Sequence, residues 1–196
     1  MLAQPGDIYG RPTSEQSQLE AGNLDVLIRQ CIANDRTAQK RMYDTYAPLM
    51  YGIIKRYVND NNAAKEILND VFYRVFTRLP QYSFEGAFEG WMRRIAVNII
   101  SDHFRRNAKH DVITGKDVEL INAHVDNETV GNINYKQLLQ LIQELPDTQR
   151  AVFNLHVFEN YSHKEISDML GISDNNSRWH LNDARKRLKE KINKML

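Results

Sequence analysis

Cysteine is almost missing from this chain: Cys31 is the only one in 196 residues. A single thiol excludes a disulfide framework within the chain and any multi-cysteine zinc or iron–sulfur site, so a reducing compartment, the cytoplasm, is the expected setting. Long apolar runs are missing too, and the opening MLAQPGDIYGRPTSEQSQLEAG has no basic start followed by an apolar stretch. Neither membrane insertion nor a secretory leader is therefore expected. There is no Gly-rich phosphate loop and no nucleophile motif, so the residues give no support to a hydrolase or transferase, and no enzymatic activity is expected. The six histidines, His103, His110, His124, His156, His163 and His180, form no ligand pair at helical spacing with a third carboxylate. They read as surface residues, and neither metal nor cofactor is expected. Cys31, on an apolar stripe, reads as a core residue.

Net charge is also lacking. Lys plus Arg number 26 against 25 for Asp plus Glu, a formal balance of +1 that by itself argues against a polyanionic partner. The charges, however, are segregated. Arg93, Arg94, Arg105, Arg106 and Lys109 face only Asp102, and Arg178, Arg185, Lys186, Arg187, Lys189, Lys191 and Lys194 face only Asp183 and Glu190. Between these blocks Asp111, Asp117, Glu119, Asp126 and Glu128 face Lys116 alone. Two basic segments flanking an acidic one suit a chain that touches nucleic acid at two places.

What is present is helical period. No strand-like alternation or internal repeat stands out, so the fold class is all-α, with two small helical domains on a flexible connection. Residues 1–22, rich in Gln, Gly, Pro and Ser, read as a mobile tail. Residues 23–107 form the first domain. Leu24, Leu27, Ile28, Cys31 and Ile32 begin it on one helix face. Ala38, Met42, Tyr43 and Tyr46 continue it, and Ala47-Pro48-Leu49 permits a kink or restart. In AAKEILNDVFYRVFTRL the stripe Ile67, Leu68, Val71, Phe72, Val75, Phe76 and Leu79 is unusually regular and stops at Pro80. The loop QYSFEGAFEG carries Gly86 and Gly90 as breakers and three aromatics. WMRRIAVNIISDHFRRN then resumes the helix with Arg94, Asn98, Ser101 and Arg105 on one side. Residues 108–133 read as an acidic linker and 134–196 as a second helical domain.

The second domain contains the sharpest pattern. Ser162 with Glu165 makes a capping box, Ile166, Met169 and Leu170 face inward, Gly171 makes the turn, Ile172 plugs the joint and Ser173 caps a second helix. This is the grammar of a helix-turn-helix, whose second helix enters a DNA major groove. On that helix Asn175, Asn176 and Asn182 suit base edges, and Arg178, Arg185 and Lys186 suit guanine or phosphate.

From Asp25 onward the chain resembles the sigma factors of bacterial RNA polymerase in their short, two-domain extracytoplasmic-function (ECF) form. The resemblance rests on separated segments in the family order. AAKEILNDVFYRVF resembles the helix that docks on the polymerase clamp, which places Glu66, Asn69, Asp70, Tyr73 and Arg74 at contacting positions. FEGAFEGWMRRIAVNIISDHFRR resembles the promoter-opening element, and LPDTQRAVFNLHVFENYSHKEISDMLGISDNNSRWHLNDARKRL the domain that reads the upstream element. The implied partners are core RNA polymerase, promoter DNA and an anti-sigma factor; nothing in the residues sets an oligomeric state, and monomer is the default for the free chain. Stacking of unpaired bases needs aromatic walls, polar groups and cations. Phe84, Phe88 and Trp91 supply the first, Asn98 the second, and Arg94, Arg105 and Arg106 the third. In the helix-turn-helix the chain departs from the family pattern: Ser177 stands at a usually aliphatic place, Trp179 at a commonly small one, and Asp183, which repels phosphate, at an often basic one. Ser167 stands at a usual alanine, where a hydroxyl can bond back to the preceding turn.

A linker of this length reaches about 28 Å on average as a flexible coil and about 90 Å at full stretch. That suffices to hold two DNA sites two or more turns apart, at about 34 Å per turn. A rival reading is a stand-alone helix-turn-helix regulator whose first domain senses a ligand or dimerises. A second is a helical adaptor with protein partners only.

Overall fold

A computed structural model describes residues 14–108 and 135–195, which form eight α-helices and one turn of 3-10 helix and contain no strand. Of the expected acidic linker 108–133, residue 108 ends a helix and the rest lies outside the described residues. In the first half, α1 spans Ser14–Ile32, α2 Arg36–Tyr57, α3 Asn61–Arg78 and α4 Phe88–Ala108, with the 3-10 turn at Leu79–Gln81 between the last two. In the second half, α5 spans Tyr135–Gln143, α6 Asp147–Val157, α7 His163–Leu170 and α8 Asp174–Asn193.

Local chemistry explains most of the boundaries. Asp35 caps α2 by accepting from the Thr37 and Ala38 amides at 2.8 and 3.2 Å, and Asp60 caps α3 through Ala63 N at 2.7 Å. Pro80 ends α3 by opening the tighter 3-10 turn. Pro48 lies inside α2, which runs through it as one helix. Two boundaries differ from the sequence reading. α1 begins at Ser14, within the stretch expected to be a tail. α4 begins at Phe88, so Gly90 sits in its first turn instead of breaking it. The reason for the second is packing: Phe88 is buried against Tyr46, Tyr82 and Trp91, which fixes the helix start over any preference of the glycine.

The apolar stripes converge as their spacing requires. Ile28, Met42, Met50, Ile54, Tyr57, Val71, Met92 and Ile100 are wholly inside, and Cys31 is 3% exposed with its thiol pushed up to about 11 by burial and then by Asp35. The sequence pattern suggests two beads on a string, but the same apolar cluster continues into Ala151, Val152, Leu155, Ile166, Leu170 and Leu181 of the second half. A smaller cluster of Leu141, Ile142, Leu145, Ala184 and Leu188 closes the far side of that half.

Polar groups fix how the halves meet. The last carbonyls of a helix have no partner within it. In α2, Ile54 O accepts from Val58 N at 2.9 Å, and the next three acceptors are all served from the second half. Gln143 Nε2 donates to Lys55 O at 2.7 Å, Asn154 Nδ2 to Arg56 O at 3.0 Å and Arg150 Nε to Tyr57 O at 2.6 Å. Arg150 is almost fully buried and also donates through Nη1 to Gln143 O and Leu145 O at 2.6 and 3.1 Å, with Asp147 paired to Nη2. Beside this cap the buried Glu159 carboxylate takes Arg56 at 2.6 Å and Arg93 at 3.4 Å, while Phe158 lies 4.8 Å from the Arg56 guanidinium carbon.

Candidate nucleic-acid interface

Three surfaces carry the residues singled out from sequence. On α3 the apolar stripe faces inward, and Glu66, Asn69, Asp70, Tyr73 and Arg74 are all exposed. Tyr73 is 71% exposed, a large aromatic ring left in water on an otherwise polar face. No packing among the described residues accounts for it.

The second surface is the aromatic loop with α4. Tyr82 is its hub: its ring lies 5.2 to 5.3 Å from those of Phe84, Phe88 and Trp91, and its hydroxyl donates to Gly86 O at 3.1 Å. Gly86 has φ +75, which its lack of a side chain permits. Phe84 also adopts a left-handed backbone, with φ +59, a region sparsely populated by side-chain-bearing residues. Phe84 and Trp91 are half-buried and present part of their rings, but Phe88 is 3% exposed. The expectation that Phe88 lines a base pocket is thus corrected: it is the floor on which Trp91 stacks, at 5.6 Å and 21°.

Along α4, Arg94, Asn98, Arg105 and Arg106 are exposed, whereas Ser101, the remaining member of the polar stripe, is buried with its hydroxyl unpartnered. The stripe is also less open than its spacing suggests. Arg105 pairs with Asp102 at 2.7 Å and its methylene stem lies against Gly171, where a β-carbon would stand 3.8 Å from Cδ. Arg106 Nε donates to Asp102 O at 3.2 Å. Nearer the helix start, Arg93 and Arg94 line a cleft whose other wall is Glu159, Asn160, Tyr161 and Glu165 of the second half.

The third surface is the helix-turn-helix, where the expected caps and turn form. The capping box is complete: Ser162 Oγ accepts from Glu165 N, and the Glu165 carboxylate accepts from Ser162 N at 2.8 Å. Glu165 is held below the usual carboxylate range by its bonds from the Ser162 hydroxyl and amide. Gly171 turns the chain at φ +70, and Ser173 caps α8 through Asn176 N at 3.1 Å. Ser167 bonds forward, to Ile172 O at 2.6 Å, and so ties the turn itself where a bond back into the helix was expected. On α8, Asn175, Asn176, Arg178 and Lys186 are exposed, and Trp179, Asn182 and Arg185 half-exposed, while Ser177, Leu181, Ala184 and Leu188 face in. Arg178 is braced by Asp174 at 3.1 Å.

Two of the departures from family pattern, Ser177 and Asp183, also find physical accounts. Ser177 is fully buried and its hydroxyl meets His163 Nδ1 at 2.9 Å, while the His163 ring stacks on His156 at 4.6 Å. Asp183 accepts from Gln149 Nε2 at 2.5 Å and Arg187 Nε at 2.8 Å, so its charge is tied back to α6 and its own helix and the expected repulsion of phosphate is muted. His180, read as a surface residue, is instead 5% exposed, and burial pulls its pKa down against the opposing pull of Asp183. Burial, then the neighbouring His156, does the same to His163. Periodicity alone places position 180 beside the inward-facing 177, 181 and 184, and that signal outweighs residue type.

Comparison with known proteins places both halves of the chain in one family. Sigma-70 region 2 matches residues 42–110 and Sigma-70, region 4 matches residues 135–188. The chain is 26% identical over 149 residues to RNA polymerase sigma factor SigZ of Bacillus subtilis, covering 76% of this chain and 84% of that protein. It is 24% identical over 154 residues to ECF RNA polymerase sigma factor SigM of the same organism, covering 78% and 94%. With ECF RNA polymerase sigma factor BldN of Streptomyces coelicolor it shares 22% identity over 167 residues, 83% of this chain and 62% of that longer protein. Among solved structures, CnrH in complex with the cytosolic domain of CnrY aligns with a TM-score of 0.45 at 16% identity, covering 86% of this chain and 96% of that one. Two regions of one family, in family order, together match more than half of the residues. The chain therefore belongs to the sigma-70 family of RNA polymerase sigma factors, in its extracytoplasmic-function group.

Proposed function

We propose a division of labour within this sigma factor, which directs promoter recognition by RNA polymerase. The exposed face of α3, with Glu66, Asn69, Asp70, Tyr73 and Arg74, docks on core polymerase. Phe84 and Trp91, with Arg94, Asn98, Arg105 and Arg106, capture and hold the unpaired strand of the downstream promoter element over the buried Phe88. The outer face of α8, from Asn175 to Lys186, reads the upstream element from the major groove. The observation that carries the reading is the coincidence, in one chain, of a large exposed aromatic on α3, unpacked among the described residues, with two separate surfaces of exposed arginines, one on α4 and one on α8.

No covalent step is required. Strand opening is driven by binding energy, as stacking and phosphate contacts made only with the open strand displace base pairing. Holding two promoter elements at once sets a geometric condition. Elements two or more turns apart, at about 34 Å per turn, cannot both be reached while α7 lies against α4. The second domain must leave the α2 carbonyls, and linker 108–133 is long enough to let it do so. The domain limits 23–107 and 134–196 follow from that separation, and the first also takes in α1 from Ser14. The site of action is the cytoplasm, where polymerase and promoter meet; among the described residues no helix is long and apolar enough to cross a membrane. An anti-sigma factor covering α3 and the DNA surfaces is the regulator that the family resemblance implies.

The test is run-off transcription with purified core polymerase on a library of genomic fragments. Specific transcripts that depend on the added chain are the expected result. Absence of both transcripts and core association overturns the reading, and sequence-specific duplex binding without polymerase favours a stand-alone regulator.

A further inference from the structure

The segment that takes the unpaired strand has the wrong charge for a polyanion. From Leu79 to Met92 there is no Lys or Arg, while Glu85 and Glu89 are both exposed. Cations are needed where a strand backbone is tracked. The nearest in sequence on α4 are Arg93 and Arg94, just past that segment and on the side of the helix turned to Glu159 and Tyr161 of the second half, away from the Phe84 ring that Arg29 covers.

The missing charge comes from another helix. Arg29, on α1 and outside the matched region 42–110, places its guanidinium carbon 4.9 Å from the centre of the Phe84 ring. It is exposed and makes no ion pair among the described residues, although Asp25 stands one turn earlier on the same helix and its charge is felt at Tyr82. A guanidinium lying over a ring is held by the ring's negative face and keeps the N–H donors on its rim directed outward. One side of the Phe84 ring is thus covered and the ring is fixed in its unusual backbone pose. A fork of donors is left at the edge of the surface on which a base stacks.

We propose that Arg29 is a positioning residue of the promoter-opening site, bracing Phe84 and supplying the phosphate contact that the acidic loop cannot supply for itself. The inference rests on the assignment of this loop to strand capture. Its ligand is the backbone phosphate next to the captured base, and the guanidinium, unlike an ammonium, serves ring and phosphate together.

The experiment titrates labelled oligo-dT, and the non-template strand of a promoter recovered by run-off transcription, into holoenzyme made with full-length chain, with core polymerase alone as baseline. Variants are Arg29→Ala, Arg29→Lys and Phe84→Ala, each measured over a range of salt. Arg29→Ala is expected to bind about tenfold more weakly, as for loss of a charge-assisted hydrogen bond. It should also flatten the dependence of log affinity on log salt by about 0.7, one single-strand phosphate contact. Arg29→Lys should keep the salt slope and lose part of the affinity, and thermal melting of both should match the parent. Weaker binding with an unchanged salt slope overturns the phosphate role, and a neutral Arg29→Ala beside a defective Phe84→Ala overturns the inference alone. If Phe84→Ala itself binds and opens promoters normally, the loop assignment fails instead.

Discussion

Replacing Arg150 by Met keeps the bulk and removes the donors, and it should be among the most damaging single changes to the fold. Three carbonyls, Tyr57 O, Gln143 O and Leu145 O, lose their bonds in a place where the residue is 7% exposed. A buried acceptor left without a donor costs about 1–3 kcal/mol, so the three together cost about 3–6 kcal/mol after partial relaxation. The ion pair with Asp147 adds little, since that carboxylate is 67% exposed. Burial pulls the guanidinium pKa down and Asp147 pushes it up, so the charge is already in part compensated where it sits. Against a total stability of about 5–15 kcal/mol the loss is large. Urea unfolding of the full chain, read by midpoint and slope, measures it. Asp147→Asn is the control and should cost less than about 1 kcal/mol. Amide exchange of Val58, in the capped last turn of α2, should quicken in Arg150→Met and not in the control. A loss under about 1 kcal/mol, or an equal loss in the control, refutes the assignment of Arg150 as a buried donor hub.

Reversing the charges of Asp70 and Arg74 together should abolish co-elution with core polymerase while each exposed change moves stability by less than about 0.5 kcal/mol; normal co-elution of the folded variant refutes the α3 assignment. His180 and His163 have folded-state pKa values pulled below about 6.5, so the unfolded chain takes up protons first on acidification. Their stabilisation is therefore full above about pH 6.5 and falls away as pH drops below it, and His180→Gln should lose less stability than the parent between about pH 7.5 and 5.5 in urea titrations. On α8, Arg178→Ala should cost about 1–3 kcal/mol and relax preference at one base position, whereas Lys186→Ala should weaken all sequences alike and lower the salt slope by about 1; holoenzyme binding to single-base promoter variants at several salt concentrations separates the two.

The readable parts of this fold are those written in short-range chemistry. Ser162 and Glu165, Gly171 and Ser173 each act within four residues, and the stripe from Ile67 to Val75 repeats at the helix period, so their geometry follows from the letters. What was missed depends on partners far along the chain. Gly90 joins α4 because Phe88 finds Tyr46 and Tyr82, and Asp183 is quieted by Gln149, 34 positions away. The inward turn of Phe88 could not be told from that of Phe84, since both are aromatics in one short loop and only the tertiary packing separates floor from rim. Arg29 stayed unmarked for the same reason, because its contact with Phe84 crosses 55 positions.

The acceptors at the end of α2 are peptide oxygens, and that has a genetic consequence. Substitution of Lys55, Arg56 or Tyr57 leaves those three oxygens in place, so point mutation on that side of the contact cannot delete an acceptor. Every donor, by contrast, is a single side chain: Gln143, Asn154 or Arg150. A screen for variants whose domains part more readily should therefore draw its hits for these three bonds from the second domain. Compensating changes would be sought among other long donors at those same positions, because the opposite surface has nothing equivalent to vary.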